Sequence, residues 1–345
     1  MQEDDSKSAV RLEIDLDRPG KNFGRIALQQ STNISAWGEL HVPIVCINGG
    51  AGPAVLLIGA THGDEYEGPI ALLKLIEELD PKEVTGRIIV IPRISGDASS
   101  NGTRLWPDGT NFNRAFPGSV RSSTADRLAD FMTRELFPQV DIVADIHSGG
   151  RSLMFDPMAT IHLPEDAEQR NAMLAAATAW MTNLCLVSSF NADGAGLQGE
   201  QAKELGKTVT TTELGGAAMT SASTLAIANR GLRNVLRHFG SLRGAVETRE
   251  QLGLAPTRYV HIAGPANYLR AHDRGLFEPC VDPGDSVAEG QLLGRMRCPD
   301  HPDRPSGEVV SPYTGVVCTL RAMPNSEIGD CLVVVGQVVD IEEFK

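Results

Sequence analysis

At 345 residues the chain has room for about two domains. Its 41% hydrophobic and 22% charged residues argue against a disordered or collagen-like chain. With 31 Lys+Arg against 44 Asp+Glu the formal net charge is −13, which argues against nonspecific binding to nucleic acid or to an anionic membrane, since both need basic surface. The start, Met1-Gln2-Glu3-Asp4-Asp5, is acidic with no apolar run behind it, so no signal peptide is expected. Apolar runs such as Ala54 to Ile58 and Leu332 to Val335 are too short to span a bilayer. The six cysteines are widely spaced and form no Cys-x-x-Cys pair, as expected for reduced, buried thiols in a cytoplasmic protein.

From residue 55 to 240 the chain alternates between strand and helix signals. Val55 to Ile58 is a continuous apolar run ending in Gly59, suited to a strand buried on both faces. Pro69 opens a helical pattern through Leu72, Leu75, Ile76 and Leu79, stopped by Asp80-Pro81. A strand follows at Arg87 to Ile91, and then an aperiodic stretch from Ser95 to Ser123, long enough to suggest a functional loop. Thr124 is placed to cap a helix with Leu128, Phe131 and Leu136, and Val140 to Ile146 is another strand. A helix at about Ala172 to Met181, strands at Leu184 to Val187 and Thr208 to Thr212, and a helix from about Thr224 to Phe239 complete the series. The expected fold is α/β, a mostly parallel sheet with helices on both faces.

After Gly253 short apolar pieces alternate with turns such as Asp282-Pro-Gly-Asp285 and Thr314-Gly315, the texture of a small all-β, barrel-like module. The N-terminal 50 residues look similar. The expected division is a catalytic domain over 1–253, including a β segment at about 1–50, and a C-terminal β module over 254–345.

His62-Gly-Asp-Glu65 directly follows the first buried strand, and His147 directly follows the strand ending at Ile146. Ligand sites of open α/β sheets gather at the carboxyl ends of strands. Two His and one Glu leave a fourth tetrahedral position open, the pattern of a catalytic zinc site. Asp145 is placed to orient an imidazole. Glu213 ends another strand and, beside a metal, becomes a candidate general base. A second His-x-x-Glu pattern, His162-Leu-Pro-Glu165, follows no core strand and is assigned to a solvated loop. The long loop supplies Arg104, Asn113 and Arg114, and guanidinium groups suit carboxylates and oxyanions.

In that order, His62-Gly-Asp-Glu65, Arg104, Asn113-Arg114, His147 and Glu213 resemble the succinylglutamate desuccinylase/aspartoacylase family, the amidohydrolase branch of the zinc carboxypeptidase fold. The resemblance covers roughly residues 40 to 245. Asn113-Arg-Ala-Phe-Pro-Gly118, His147-Ser-Gly-Gly150 and Thr211-Thr-Glu-Leu-Gly-Gly216 look closest to a bacterial subgroup that includes Nα-acetyl-2,4-diaminobutyrate deacetylases. Asn111 stands where many relatives have Asp, and Ile94 to Ser100 lacks the prolines often found there. These departures bear on the substrate and leave the metal ligands intact.

The resemblance implies one Zn2+ per chain on His62, Glu65 and His147, with Glu213 as base. It also implies Arg104 on the oxyanion, and Asn113 with Arg114 on the carboxylate of a small N-acyl amino acid. The alternative is a zinc carboxypeptidase or amidase acting on a peptide-like substrate. A binding protein that keeps the fold without the chemistry fits less well, because the ligand set and Glu213 are all present. A net −13 mildly favours a zwitterionic substrate, such as an acetylated diamino acid, over a highly anionic one. The tail also resembles a biotinyl/lipoyl-like barrel, but such carriers need a lysine on a hairpin turn. Beyond residue 260 only Lys345 is a lysine, so a structural or homo-oligomer-forming role is expected instead.

Overall fold

The computed structural model describes residues 10–32, 35–189 and 197–344. The acidic start at Met1 to Asp5 and the terminal Lys345 lie outside the described residues. Strands β1 (Val10–Glu13), β2 (Gly20–Thr32) and β3 (Ser35–Asn48) form an antiparallel N-terminal segment. Then come β4 (Ala54–Gly59), α1 (Glu67–Glu78), β5 (Arg87–Ile91), the short α2 (Gly96–Asn101) and α3 (Thr124–Phe131). They are followed by β6 (Ile142–His147), β7 (Leu153–Phe155), β8 (Met158–His162), α4 (Ala167–Ala179) and β9 (Leu184–Ser188). The series continues with α5 (Gln198–Glu204), β10 (Thr208–Glu213), α6 (Ala222–His238) and β11 (Arg258–Ile262).

Every residue of β4 and β6 is buried. β4 pairs in parallel with β5 on one side and β6 on the other. A strand paired on both edges and covered on both faces needs apolar residues throughout, which is why Val55 to Ile58 shows no alternation. β10 continues in parallel beside β6. Beyond β10 the direction changes. β8 runs antiparallel to β10, while β9 and β11 run parallel to β8. At the other edge β3 joins antiparallel to β5. The sheet is therefore mixed, which corrects the mostly parallel sheet expected from the sequence. The cause is partly the N-terminal hairpin and partly β7 and β8, which follow β6 with no helix between. Three and five residues are too few for periodicity to separate them from loop. His162 closes β8, so its assignment to a solvated loop is corrected too.

Helices cover both faces. On one, α1 and α6 share a core through Leu72, Leu75, Leu232 and Val235, which also includes the buried Trp180. On the other, α3 packs with the aperiodic stretch through Phe112, Phe116, Leu128 and Phe137. α4 starts at Ala167 rather than near Ala172 because Asp166 caps it, accepting from Gln169 N at 2.7 Å. Among the described residues no helix is long and apolar enough to cross a membrane.

The remaining strands are β12 (Tyr268–Arg270), β13 (Gly275–Pro279), β14 (Ser286–Val287), β15 (Leu292–Arg297), β16 (Gly307–Val310), β17 (Gly315–Arg321), β18 (Asn325–Ser326) and β19 (Cys331–Val338). β13, β15, β16 and β18 form a separate four-stranded sheet, and Phe277, Leu293, Met296 and Leu332 lie in a core of their own. β19 pairs with β11, and β17 pairs with β7. The large sheet is thus hydrogen-bonded into the C-terminal strands. Truncation after Gly253 is expected to strip β11 from β9. It would also uncover Met158 and Leu184, which are fully buried in a cluster with Val260 and Ile262. Exposed apolar surface and an open strand edge drive association, so the shortened chain should elute as aggregate in size-exclusion chromatography. A monodisperse fragment with an undiminished Tm would show that residues 1–253 fold alone.

Candidate metal centre

Parallel pairing of β4 with β6 sets their carboxyl ends side by side, with Gly59 opposite Ile146. The turn after Gly59 carries His62, and β6 ends in His147, so the two imidazoles meet with ring centroids 5.0 Å apart. Glu65, one turn past His62, lies between them. Its Oε1 is 2.8 Å from His62 Nδ1 and its Oε2 is 2.9 Å from His147 Nδ1. All three residues are buried, and one ligand atom from each falls within 4.8 Å of the other two. Among the described residues this is the only such group of three or more His, Cys, Asp or Glu. His272, Cys280 and Cys298 take no part in it.

The donor set fits a borderline-soft divalent cation such as zinc, which takes imidazole nitrogen and carboxylate oxygen. Two further observations support the fit. His62 Nε2 is buried without a hydrogen-bond partner, a costly state for a polar atom unless something else engages the ring. His147 Nε2 sits 2.8 Å from Asp145 Oδ2, the carboxylate–imidazole arrangement that orients metal-binding histidines. Asp145 is itself fixed, accepting from Thr61 Oγ1 at 2.8 Å and Gln198 Nε2 at 2.7 Å. Burial opposes the charge on Glu65, but the two histidines outweigh it and hold its carboxyl well below the usual carboxylate range. Burial pushes His62 down, towards the neutral imidazole that a metal requires. His147 is also penalised by burial, yet Asp145 and Glu65 raise it well above an ordinary histidine.

The aperiodic stretch is anchored by aromatic packing. Trp106 stacks on Phe112 at 5.5 Å, Phe112 meets Phe116 edge-on at 5.4 Å, and Phe116 stacks on Phe137 at 6.0 Å. The anchored loop brings Arg104 Nη1 to 3.1 Å from Glu65 Oε1. Gly63 permits this approach, because a Cβ there would lie 2.4 Å from both Ser99 N and Thr103 O. Asn113 sits on a short 3-10 turn, Phe112–Arg114, and its Oδ1 accepts from Gln198 N at 3.2 Å. Arg114 is exposed on the same turn. Glu213 ends β10 opposite His147 in the β6–β10 register, and Leu214 N donates to His147 O at 3.0 Å. A cavity of about 130 Å³ opens over the centre, and its walls include His62, Arg104, Asn113, His147 and Glu213 but not Arg114.

The family model of the succinylglutamate desuccinylase/aspartoacylase catalytic domain matches residues 51–239. The chain belongs to this family. The matched stretch contains all seven residues singled out above as metal, catalytic or substrate-binding candidates. The N-alpha-acetyl-L-2,4-diaminobutyric acid deacetylase of Halomonas elongata is 34% identical over 334 residues, 96% of each chain. The product-bound structure of the ectoine utilization protein EutE (DoeB) from Ruegeria pomeroyi is 38% identical, with a TM-score of 0.91 over 96% of this chain and 100% of that one. A succinylglutamate desuccinylase structure from Silicibacter sp. TM1040 is 37% identical, with a TM-score of 0.91 over 97% and 100%. The mixed α/β architecture is therefore the fold of succinylglutamate desuccinylase/aspartoacylase family members.

Around the family's metal-centre motifs the cavity has walls that sequence reasoning missed. Thr160, His162, Thr211, Met173, Glu200 and Lys203 all line it. Thr211 had a usable signal, since alternation along a strand puts it on the same side as Glu213. Asp64, within the His62–Glu65 motif, is buried and accepts from Arg151 N at 2.7 Å. It thereby holds the turn after His147. Gly150 completes that turn at φ +53°, where a Cβ would sit 2.6 Å from Asp64 Oδ2.

Proposed function

We propose that this protein is a zinc-dependent amidohydrolase that removes a short acyl group from an N-acyl amino acid, with Nα-acetyl-2,4-diaminobutyrate as the leading substrate. The observation that carries this reading is the buried His62–Glu65–His147 group with Glu213 in the same cavity. The similarity to the Halomonas elongata deacetylase over nearly the whole chain supports the choice of substrate. The cavity over the centre has a volume of only about 130 Å³, which suits a small metabolite better than a peptide. The free thiols of all six cysteines suit a reducing, cytoplasmic compartment.

One zinc ion on His62, Glu65 and His147 would supply a Lewis acid and lower the pKa of its water towards about 7. The protein's own groups do the rest. Glu213 takes the proton of the attacking water and later returns one to the leaving amine. Arg104, beside Glu65, donates to the oxygen that becomes an oxyanion as the carbonyl carbon turns tetrahedral. Asn113 and Arg114 hold the α-carboxylate from the loop, which aligns the amide with the centre. Asp145, Thr61 and Gln198 keep the His147 ring in place throughout.

The two arginines should fail differently. Arg104→Ala is expected to lower kcat by about 10²- to 10³-fold, because the lost donor acts mainly in the transition state. Arg114→Ala should mainly raise KM, since a carboxylate clamp serves ground state and transition state alike. Steady-state kinetics with one N-acetyl amino acid separates the two, and equal effects on KM alone would remove Arg104 from the oxyanion. The reaction itself is tested by incubating zinc-loaded protein with N-acyl amino acids and with short peptides. Release of acetate from the former, with the peptides left intact, is expected. Peptide cleavage would instead assign a carboxypeptidase-type activity.

A further inference from the structure

We propose that Glu200 and Lys203 select the substrate's side chain, favouring N-acyl amino acids whose side chain carries a cationic group. The proposal rests on the deacylase reading of the same cavity. Both residues lie on α5 three positions apart, and Lys203 Nζ is 2.5 Å from Glu200 Oε2. Their side chains are only 16% and 22% exposed, and both face the metal-centre cavity.

A solvated helical pair looks different. Lys74 and Glu78 on α1 also form an ion pair, but their side chains are 49% and 40% exposed and lie outside the lining of the metal-centre cavity. Such exposed pairs add only a few tenths of a kcal/mol to a helix. Withdrawing two charges from water is costly, so the Glu200–Lys203 pair is poorly explained as a helix staple. Its surroundings sharpen the point. The cavity lining also includes the apolar Ile161, Met173 and Val209, the hydroxyls of Thr160 and Thr211 bonded to each other, and His162.

An amino acid acylated on its α-nitrogen keeps its α-carboxylate, and a diamino acid adds one ammonium. That ammonium can replace Lys203 on Glu200 like for like, leaving the half-buried carboxylate paired. Lysine suits the exchange because its long flexible stem lets the ammonium swing towards water. The shorter Glu200 stays, and the net charge of −13 favours the incoming cation.

Calorimetric titration of the zinc-loaded protein with 2,4-diaminobutyrate and with 2-aminobutyrate, which lacks only the side-chain ammonium, tests selection without any variant. The diamino acid should bind at least about tenfold more tightly, as expected for one charged hydrogen bond, and equal affinities would overturn the proposal. The second readout is the ratio of kcat/KM for Nα-acetyl-2,4-diaminobutyrate to that for N-acetyl-2-aminobutyrate. Glu200→Gln should lower this ratio by roughly 10- to 100-fold, and Lys203→Met should raise it. If both variants lower Tm but leave the ratio within about twofold, the pair is only a helix staple and the proposal fails. Preferential binding of the diamino acid without turnover of any N-acyl substrate would overturn the deacylase reading and leave the selectivity standing. Equal turnover of both substrates would do the reverse.

Discussion

Glu213→Gln is expected to keep zinc bound while kcat falls by roughly 10²- to 10⁴-fold, the usual worth of a positioned base. The substitution preserves shape, so β10 keeps its pairing with β6 and the Leu214 N to His147 O bond survives. Glu213 stands outside the buried His62–Glu65–His147 group, which is why metal occupancy and turnover should separate. What is lost is the ability to accept a proton. Kinetics on variant protein of confirmed zinc content decides the matter. Turnover within a few-fold of the unmodified protein would move the base elsewhere in the cavity.

His147→Ala should have the largest effect on metal. It would delete one of the three proposed ligands, so zinc affinity is expected to fall by more than the roughly 10- to 100-fold that losing a supporting residue costs. It also leaves Asp145 with a buried carboxylate facing a void. The informative control is His162→Ala. His162 closes β8 and lines the same cavity, yet it lies outside the group of converging donors. Its removal should change zinc affinity by less than about tenfold, below the usual cost even of a supporting residue. Competition titration of both variants against a chromophoric chelator measures the difference directly. Equal losses would mean that the ligand set has been drawn from the wrong pair of histidines.

The contrast between these two histidines shows how far the sequence could be read. His62, Glu65, His147 and Glu213 could be singled out as candidates because each lies at or just past the end of a run that reads as a strand. The carboxyl end of such a strand is a place physics reserves for ligands. His162 follows Met158 to Ile161, a run too short and too mixed to announce itself. The same brevity hid β7 and β8, and with them the change of direction that makes the sheet mixed. α5 was invisible for a related reason. At seven residues, with Gly199 near its start, it shows no apolar stripe, so Gln198, Glu200 and Lys203 gave no sign that they face the centre. Asp145 could be suspected of orienting an imidazole, but its own supports, Thr61 and Gln198, are 84 and 53 residues away in sequence. Contacts of that range depend on the assembled sheet. The C-terminal strands were recognisable from their turns, whereas the pairing of β11 with β9 leaves no trace in local pattern.

Zinc held by His62, Glu65 and His147 is proposed to drive hydrolysis of an N-acyl amino acid. The most direct measurement is acetate release from Nα-acetyl-2,4-diaminobutyrate by protein stripped with a chelator and then titrated with zinc. Activity should be near zero in the stripped protein and rise linearly until one equivalent of zinc per chain has been added. Full activity in the stripped protein, or no acetate at one bound equivalent, would contradict it.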